Sequence, residues 1–176
     1  MTFQDVAGLD PDREPGELVA GEMVPVTRTT WRHAMVVASL TSLLKQYCKA
    51  RPDWVVGAGD PGSKLATNPD TLRGPDVGLL RRTRLPIGKG ADGRLDGAPE
   101  LVCEVVGDSQ SPTELLEKAL AFLAAGSQVV WLADPEPQRV LVVTPPDHVR
   151  ILGRDDVLEA PALIPGFRCA VRELFE

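Results

Sequence analysis

Residues 100–134 constrain the fold more than any other stretch of the chain. ELVCEVV (100–106) is rich in β-branched and apolar residues and reads as a strand. Ser111 or Thr113 is placed to open a helix that runs to about Ala125, where Gly126 stops it. QVVWLAD (128–134) is a second strand, of the continuous apolar kind that is covered on both faces. Two strands joined by one helix lie parallel, and such a crossover is right-handed. The fold must therefore contain a parallel pair with a helix on one face and other cover on the opposite face.

The flanking segments supply that cover. ELVAGEMV (17–24) predicts two short strands turning at Gly21. Thr29 or Thr30 caps a helix reaching about Ala50, in which Val36, Leu40, Leu43 and Tyr47 recur at helical spacing. Arg51-Pro52 ends it, because a proline disfavours helical backbone at the residue before it. WVVGAG (54–59) and PDVGLL (75–80) predict strands, and the segments between them and over 82–99 read as loops rich in Gly and Pro. RVLVVT (139–144) and VRIL (149–152) continue the sheet in antiparallel fashion, and FRCAV (167–171) adds a last short strand. The expectation is a mixed α/β or α+β fold, a mixed β-sheet flanked by helices, in one domain over residues 16–176. Residues 1–15, polar and with two prolines, are expected to be poorly ordered.

Charge and composition narrow the function classes. A net charge of −6 argues against holding a polyanion over the whole surface. Basic residues gather between Arg73 and Arg94, where Arg73, Arg81, Arg82, Arg84, Lys89 and Arg94 face only Asp76 and Asp92. A polyanion site belongs near this segment; the same charges serve equally as solubilising loop charges. Cys48, Cys103 and Cys169 are scattered among apolar neighbours without zinc-ligand spacing, which suits free thiols in a reducing cytoplasm. No apolar run is long enough to cross a membrane, and the acidic start MTFQDVAGLDPDREPGE lacks the features of a secretory signal. A cytoplasmic protein is expected.

The chemical signal lies in the strand that opened the argument. At period two, Leu101, Cys103 and Val105 face one side, while Val102, Glu104 and Val106 face the other. Glu104 is thus a carboxylate on an otherwise apolar face, a costly placement unless a metal ion or a cationic partner compensates it or that face is exposed. On the following helix Leu115, Leu116, Ala119, Leu120, Phe122 and Leu123 span one arc, and Lys118 falls at its border. Its long stem can follow the apolar surface and deliver an ammonium to the sheet. Glu114, four residues earlier, is an alternative partner. Asp76, directly after Pro75, either forms a turn or presents a second carboxylate beside Glu104 where the two strands pair. Two such carboxylates suit Mg²⁺ or Mn²⁺.

These motifs together, GELVAGEMV, His33 in the first helix, GPDVGLL, ELVCEVV, the helix with Lys118, GSQVVWLADPE and the tail LIPGFRCAVRELF, resemble the Uma family of bacterial proteins described as putative restriction endonucleases, a branch of the PD-(D/E)XK nuclease superfamily. The resemblance implies a restriction-endonuclease-like fold with carboxylates gathered at one edge of the sheet. Carried over by position, Asp76 and Glu104 match acidic metal ligands, with the carbonyl of Val105 as a further ligand. The superfamily lysine two residues after the glutamate is Val106 here, and Lys118 matches the lysine that replaces it in this family. Glu22 and His33 match positions at the same end of the fold. The loop GDSQSPTE (107–114) departs from relatives, which carry Ser-Pro directly after the glutamate strand.

What the resemblance implies is Mg²⁺-dependent hydrolysis of DNA phosphodiesters. Asp76 and Glu104 would hold the cation with Val105 and Glu22, and Lys118 and His33 would act on the reacting groups. Arg73, Arg81, Arg82 and Arg84 would hold flanking phosphates. Two other readings stay open. One is a catalytically inactive nuclease fold that binds nucleic acid or a protein, in which Glu104 and Lys118 form a plain ion pair. The other is a homodimer built on RVLVVT and VRIL.

Overall fold

The computed structural model describes residues 1–7, 16–26, 29–87, 92–107 and 110–176. In chain order the elements are α1 (Phe3–Ala7), β1 (Gly16–Val19), β2 (Glu22–Pro25), α2 (Trp31–Lys49), β3 (Trp54–Ala58), β4 (Ser63–Ala66), β5 (Thr71–Arg73), β6 (Val77–Arg81), β7 (Leu95–Asp96), β8 (Leu101–Val105), α3 (Pro112–Ala124), β9 (Val129–Asp134), β10 (Arg139–Thr144), β11 (His148–Leu152), β12 (Val157–Leu158) and β13 (Cys169–Ala170).

The main sheet has six strands in the order β11-β10-β9-β8-β6-β3. Its one parallel pair is β8 with β9, joined through α3 as the sequence demands, and its other pairs are antiparallel. The alternation along β8 sorts its side chains as expected. Leu101, Cys103 and Val105 join the cluster that includes Val36, Leu40 and Leu44 of α2 and Leu163, Ile164 and Phe167 of the C-terminal segment. Val102 joins the cluster on the other face, with Leu115, Ala119 and Phe122 of α3. The sheet is therefore covered on both sides, and its central strand is buried along its whole length.

Local chemistry fixes the helix starts. Thr30 caps α2 by accepting from His33 N, which sets the histidine in the first turn. Ser111 caps α3 in a capping box with Glu114, whose carboxylate accepts from Ser111 N at 2.8 Å. Glu114 is thus used at the cap rather than against Lys118.

Two regions expected as loops carry strands. β4 and β5 lie between β3 and β6, and β7 lies in the segment 82–99; with β1 and β2 they make a five-stranded sheet ordered β2-β1-β5-β4-β7. β4, β5 and β7 have only two to four residues, too short to show alternation against their Gly- and Pro-rich surroundings. Residues 1–7, expected to be poorly ordered, instead hold α1, fixed by the Phe3 N–H donating to Asp70 Oδ2 at 2.9 Å. Residues 8–15 of that segment lie outside the described residues, as does Lys89. All three cysteines are free. Among the described residues no helix is long and apolar enough to cross a membrane.

Candidate active site

Strands β6 and β8 pair antiparallel with Val77 opposite Cys103, so the next step of the register sets Asp76 at the level of Glu104. Both carboxylates line one cleft, together with His33 from α2, Lys118 from α3 and Glu17 from β1. Five elements distant in sequence thus converge at one end of the main sheet.

Glu104 is only 3% exposed. Its Oε2 lies 3.0 Å from Lys118 Nζ, while Oε1 is buried without any hydrogen-bond partner. Burial pushes its carboxyl up to about 8; the Lys118 charge opposes this and the Asp76 charge adds to it. For Lys118, burial alone would favour the neutral amine, but the charges of Glu104 and Glu17 outweigh it and hold the ammonium firmly protonated. The second carboxylate on Lys118 is Glu17, with Oε1 3.1 Å from Nζ.

Asp76 is oriented from two sides. Its Oδ2 accepts from Val105 N at 2.7 Å and lies 3.1 Å from His33 Nε2. That hydrogen bond raises the His33 imidazole above its ordinary value, with burial opposing. The Asp76 carbonyl accepts from Gly59 N at 3.2 Å, which brings the β3–β4 turn against the site. Asp60 in that turn lines the same cleft. Burial, reinforced by the Asp76 charge, raises its carboxyl. A Cβ at Gly74 would meet the Asp60 backbone at 2.6 Å, so only glycine lets the two segments approach this closely.

The structure thus gathers Asp76, Glu104, Val105, Lys118 and His33. It does not gather Glu22, which is exposed on β2 opposite Val19 and is not part of the cleft. Glu17, on the other strand of the same hairpin, stands there instead. Of the four arginines, Arg73 lines the cleft and lies 3.4 Å from Glu17. The other three belong to the opposite end of β6, about 17 Å away at the usual rise of an extended strand. There Arg81 pairs with Asp53 and stacks on Trp54, Arg82 donates to the Pro52 carbonyl, and Arg84 pairs with Glu100. All three have partners within the protein there, away from the cleft that holds Asp76 and Glu104. Sequence reasoning missed Glu17 and Asp60. For Glu17 the available signal was its place beside Leu18, which is fully buried, on a short strand; Asp60 lay in a segment read only as loop.

Among the described residues no trio of His, Cys, Asp or Glu is arranged to hold a metal ion. The open pair of Asp76 and Glu104 fits a different kind of site. Mg²⁺ keeps most of its waters and takes one or two carboxylates, and a buried carboxylate oxygen without a partner is the donor such an ion satisfies. The residues present are compatible with Mg²⁺ or Mn²⁺ on that ground.

The chain belongs to the Uma2 family, described as "Putative restriction endonuclease", whose profile matches residues 2–172. The resemblance read from the sequence motifs is thereby borne out. Its fold is similar to that of a solved protein described as "a putative nuclease belonging to DUF820 from Anabaena variabilis ATCC 29413", with a TM-score of 0.86 and 19% identity over 99% of this chain and 97% of that one. At that identity the likeness establishes the mixed fold. No curated protein matches the chain.

Proposed function

We propose that this chain hydrolyses phosphodiester bonds in DNA with Mg²⁺ or Mn²⁺ held between Asp76 and Glu104. The observation that carries the reading is Glu104 Oε1, a buried carboxylate oxygen without a partner, on a side chain that lines the same cleft as Asp76. When bound, the cation supplies charge neutralisation and Lewis acidity toward a phosphate oxygen. The chain's own groups do the rest. Lys118 presents a fixed ammonium to negative charge that develops on the phosphoryl group. Val105 N and His33 Nε2 lock the orientation of Asp76. His33, whose Nε2 is hydrogen-bonded to that carboxylate, would hold or move a proton at Nε2 within the cleft. Arg73 is the one of the four expected arginines that lines the cleft, where it stands 3.4 Å from Glu17.

The test is a supercoiled-plasmid nicking assay in Mg²⁺ or Mn²⁺, with calorimetric titration of Mn²⁺ in parallel. The wild type should bind Mn²⁺ and nick, and Glu104→Gln should do neither. Nicking that survives both Asp76→Asn and Lys118→Ala would exclude this site as its source. A second reading, an inactive nuclease fold that binds a partner, is favoured by one observation: Lys118 already engages Glu104 Oε2 at 3.0 Å without a cation. A wild type that takes up no Mn²⁺ would decide for it.

A further inference from the structure

We infer that Glu17 is a positioning residue that keeps Lys118 at the cleft when a cation engages Glu104. The inference rests on the cation reading above and concerns what happens to the lysine once that cation arrives.

The ammonium of Lys118 is shared between two carboxylates, Glu104 Oε2 at 3.0 Å and Glu17 Oε1 at 3.1 Å. All three side chains are largely buried. If Glu104 alone held it, cation and ammonium would compete for one carboxylate, and the lysine would be the mobile partner. Glu17 removes that competition because it is itself fixed. Leu18, fully buried, anchors β1 opposite Leu72 of β5. The Glu17 Oε1 also accepts from Gly74 N at 3.3 Å, and Oε2 lies 3.4 Å from Arg73 Nη1. The chain Glu104–Lys118–Glu17–Arg73 balances two acids with two bases, so Glu17 can tether the lysine without adding net negative charge. The lysine is brought by the helix that crosses the main sheet, and its second tether by the small sheet. The small sheet thereby contributes to the site a residue that the main sheet cannot supply.

The test measures amine-labelling rates of each lysine by mass spectrometry, with and without saturating Mg²⁺, in the full-length wild type and in Glu17→Gln. Calorimetry on the same samples establishes whether Mg²⁺ binds. In the wild type Lys118 should stay protected in both conditions. In Glu17→Gln it should stay protected without Mg²⁺, held by Glu104, and label about tenfold faster or more with Mg²⁺, the factor for losing one charge-assisted bond. Lys64, in the small sheet, should label alike throughout. Protection that survives Mg²⁺ in Glu17→Gln overturns the inference. So does protection lost without Mg²⁺, which would make Glu17 a merely structural support, and so does loss of protection in Mg²⁺-loaded wild type. If Mg²⁺ binds neither protein, the cation reading falls and takes this inference with it. Should Glu17→Gln fail to fold, Glu17→Asp, which withdraws the carboxylate by one methylene, is read by the same criteria.

Discussion

Two buried glutamates stand four residues apart on the same run of chain. Glu100, 8% exposed, has both oxygens occupied: Oε1 lies 3.2 Å from Arg84 Nη1, and Oε2 accepts from Arg81 N at 3.1 Å. Glu104, 3% exposed, has one oxygen on Lys118 and the other on nothing. Same residue type, four positions apart, nearly the same burial, yet one has both oxygens bonded and the other leaves one oxygen without a partner. Burial of an acid does not by itself mark a functional position. The marker is what remains unsatisfied once the neighbours have been counted.

That contrast is open to attack at several points. The largest expected effect is on activity. Glu104→Gln should abolish Mn²⁺ uptake and lower nicking on the order of a thousandfold or more, whereas Glu100→Gln should leave Mn²⁺ affinity unchanged. Calorimetry on the two variants side by side reads this directly, and equal behaviour would erase the distinction. Next comes stability. Glu100→Ala takes the carboxylate from Arg84 and leaves the Arg81 backbone N–H unpaired, and should cost about 2–3 kcal/mol in urea unfolding; Glu104→Gln should cost less, because Lys118 keeps Glu17 at 3.1 Å.

The third effect is on pH dependence. Burial raises the Glu104 carboxyl to about 8 from 4.5 against the opposing pull of Lys118, so the folded chain releases that proton at a higher pH than the unfolded chain does. Its contribution must therefore make stability fall as pH rises from about 4.5 to about 8, by up to a few kcal/mol. Metal-free wild type should show that decline in denaturant midpoints, and Glu104→Gln should flatten it. The smallest effect is at the opposite end of β6. Arg81→Ala removes an exposed pair with Asp53 and a stack on Trp54, and should cost about 1 kcal/mol without changing the salt dependence of DNA binding. A shallower salt slope in that variant would return the arginines to the substrate path.

The main sheet was legible because its strands are long enough to carry a pattern. Period two along 100–106 told which face Glu104 would take, and the helical arc told that Lys118 would sit at its border. The small sheet was legible only in its first hairpin, and its other three strands escaped for the converse reason. A strand such as Thr71–Arg73, between an Asn-Pro turn and a Gly-Pro pair, has no periodicity to read. Glu17 and Asp60 went unnoticed with it, since their importance arises only from pairing partners far along the chain. Of the arginine segment, the sequence showed the charge but not the placement, and of its arginines only Arg73 lines the cleft. The partners of Arg81 and Arg84, Asp53 and Glu100, lie outside that segment.

The candidate site takes Glu17 from the first hairpin, His33 from the first long helix, Asp76 and Glu104 from the middle of the chain and Lys118 from beyond it. Contacts so far apart along the chain form late in folding. A ribosome-bound fragment that ends before α3 has no ammonium to set against Glu104 and no parallel partner for β8. The cleft therefore cannot be completed until α3, whose Lys118 stands at position 118 of 176, has been made.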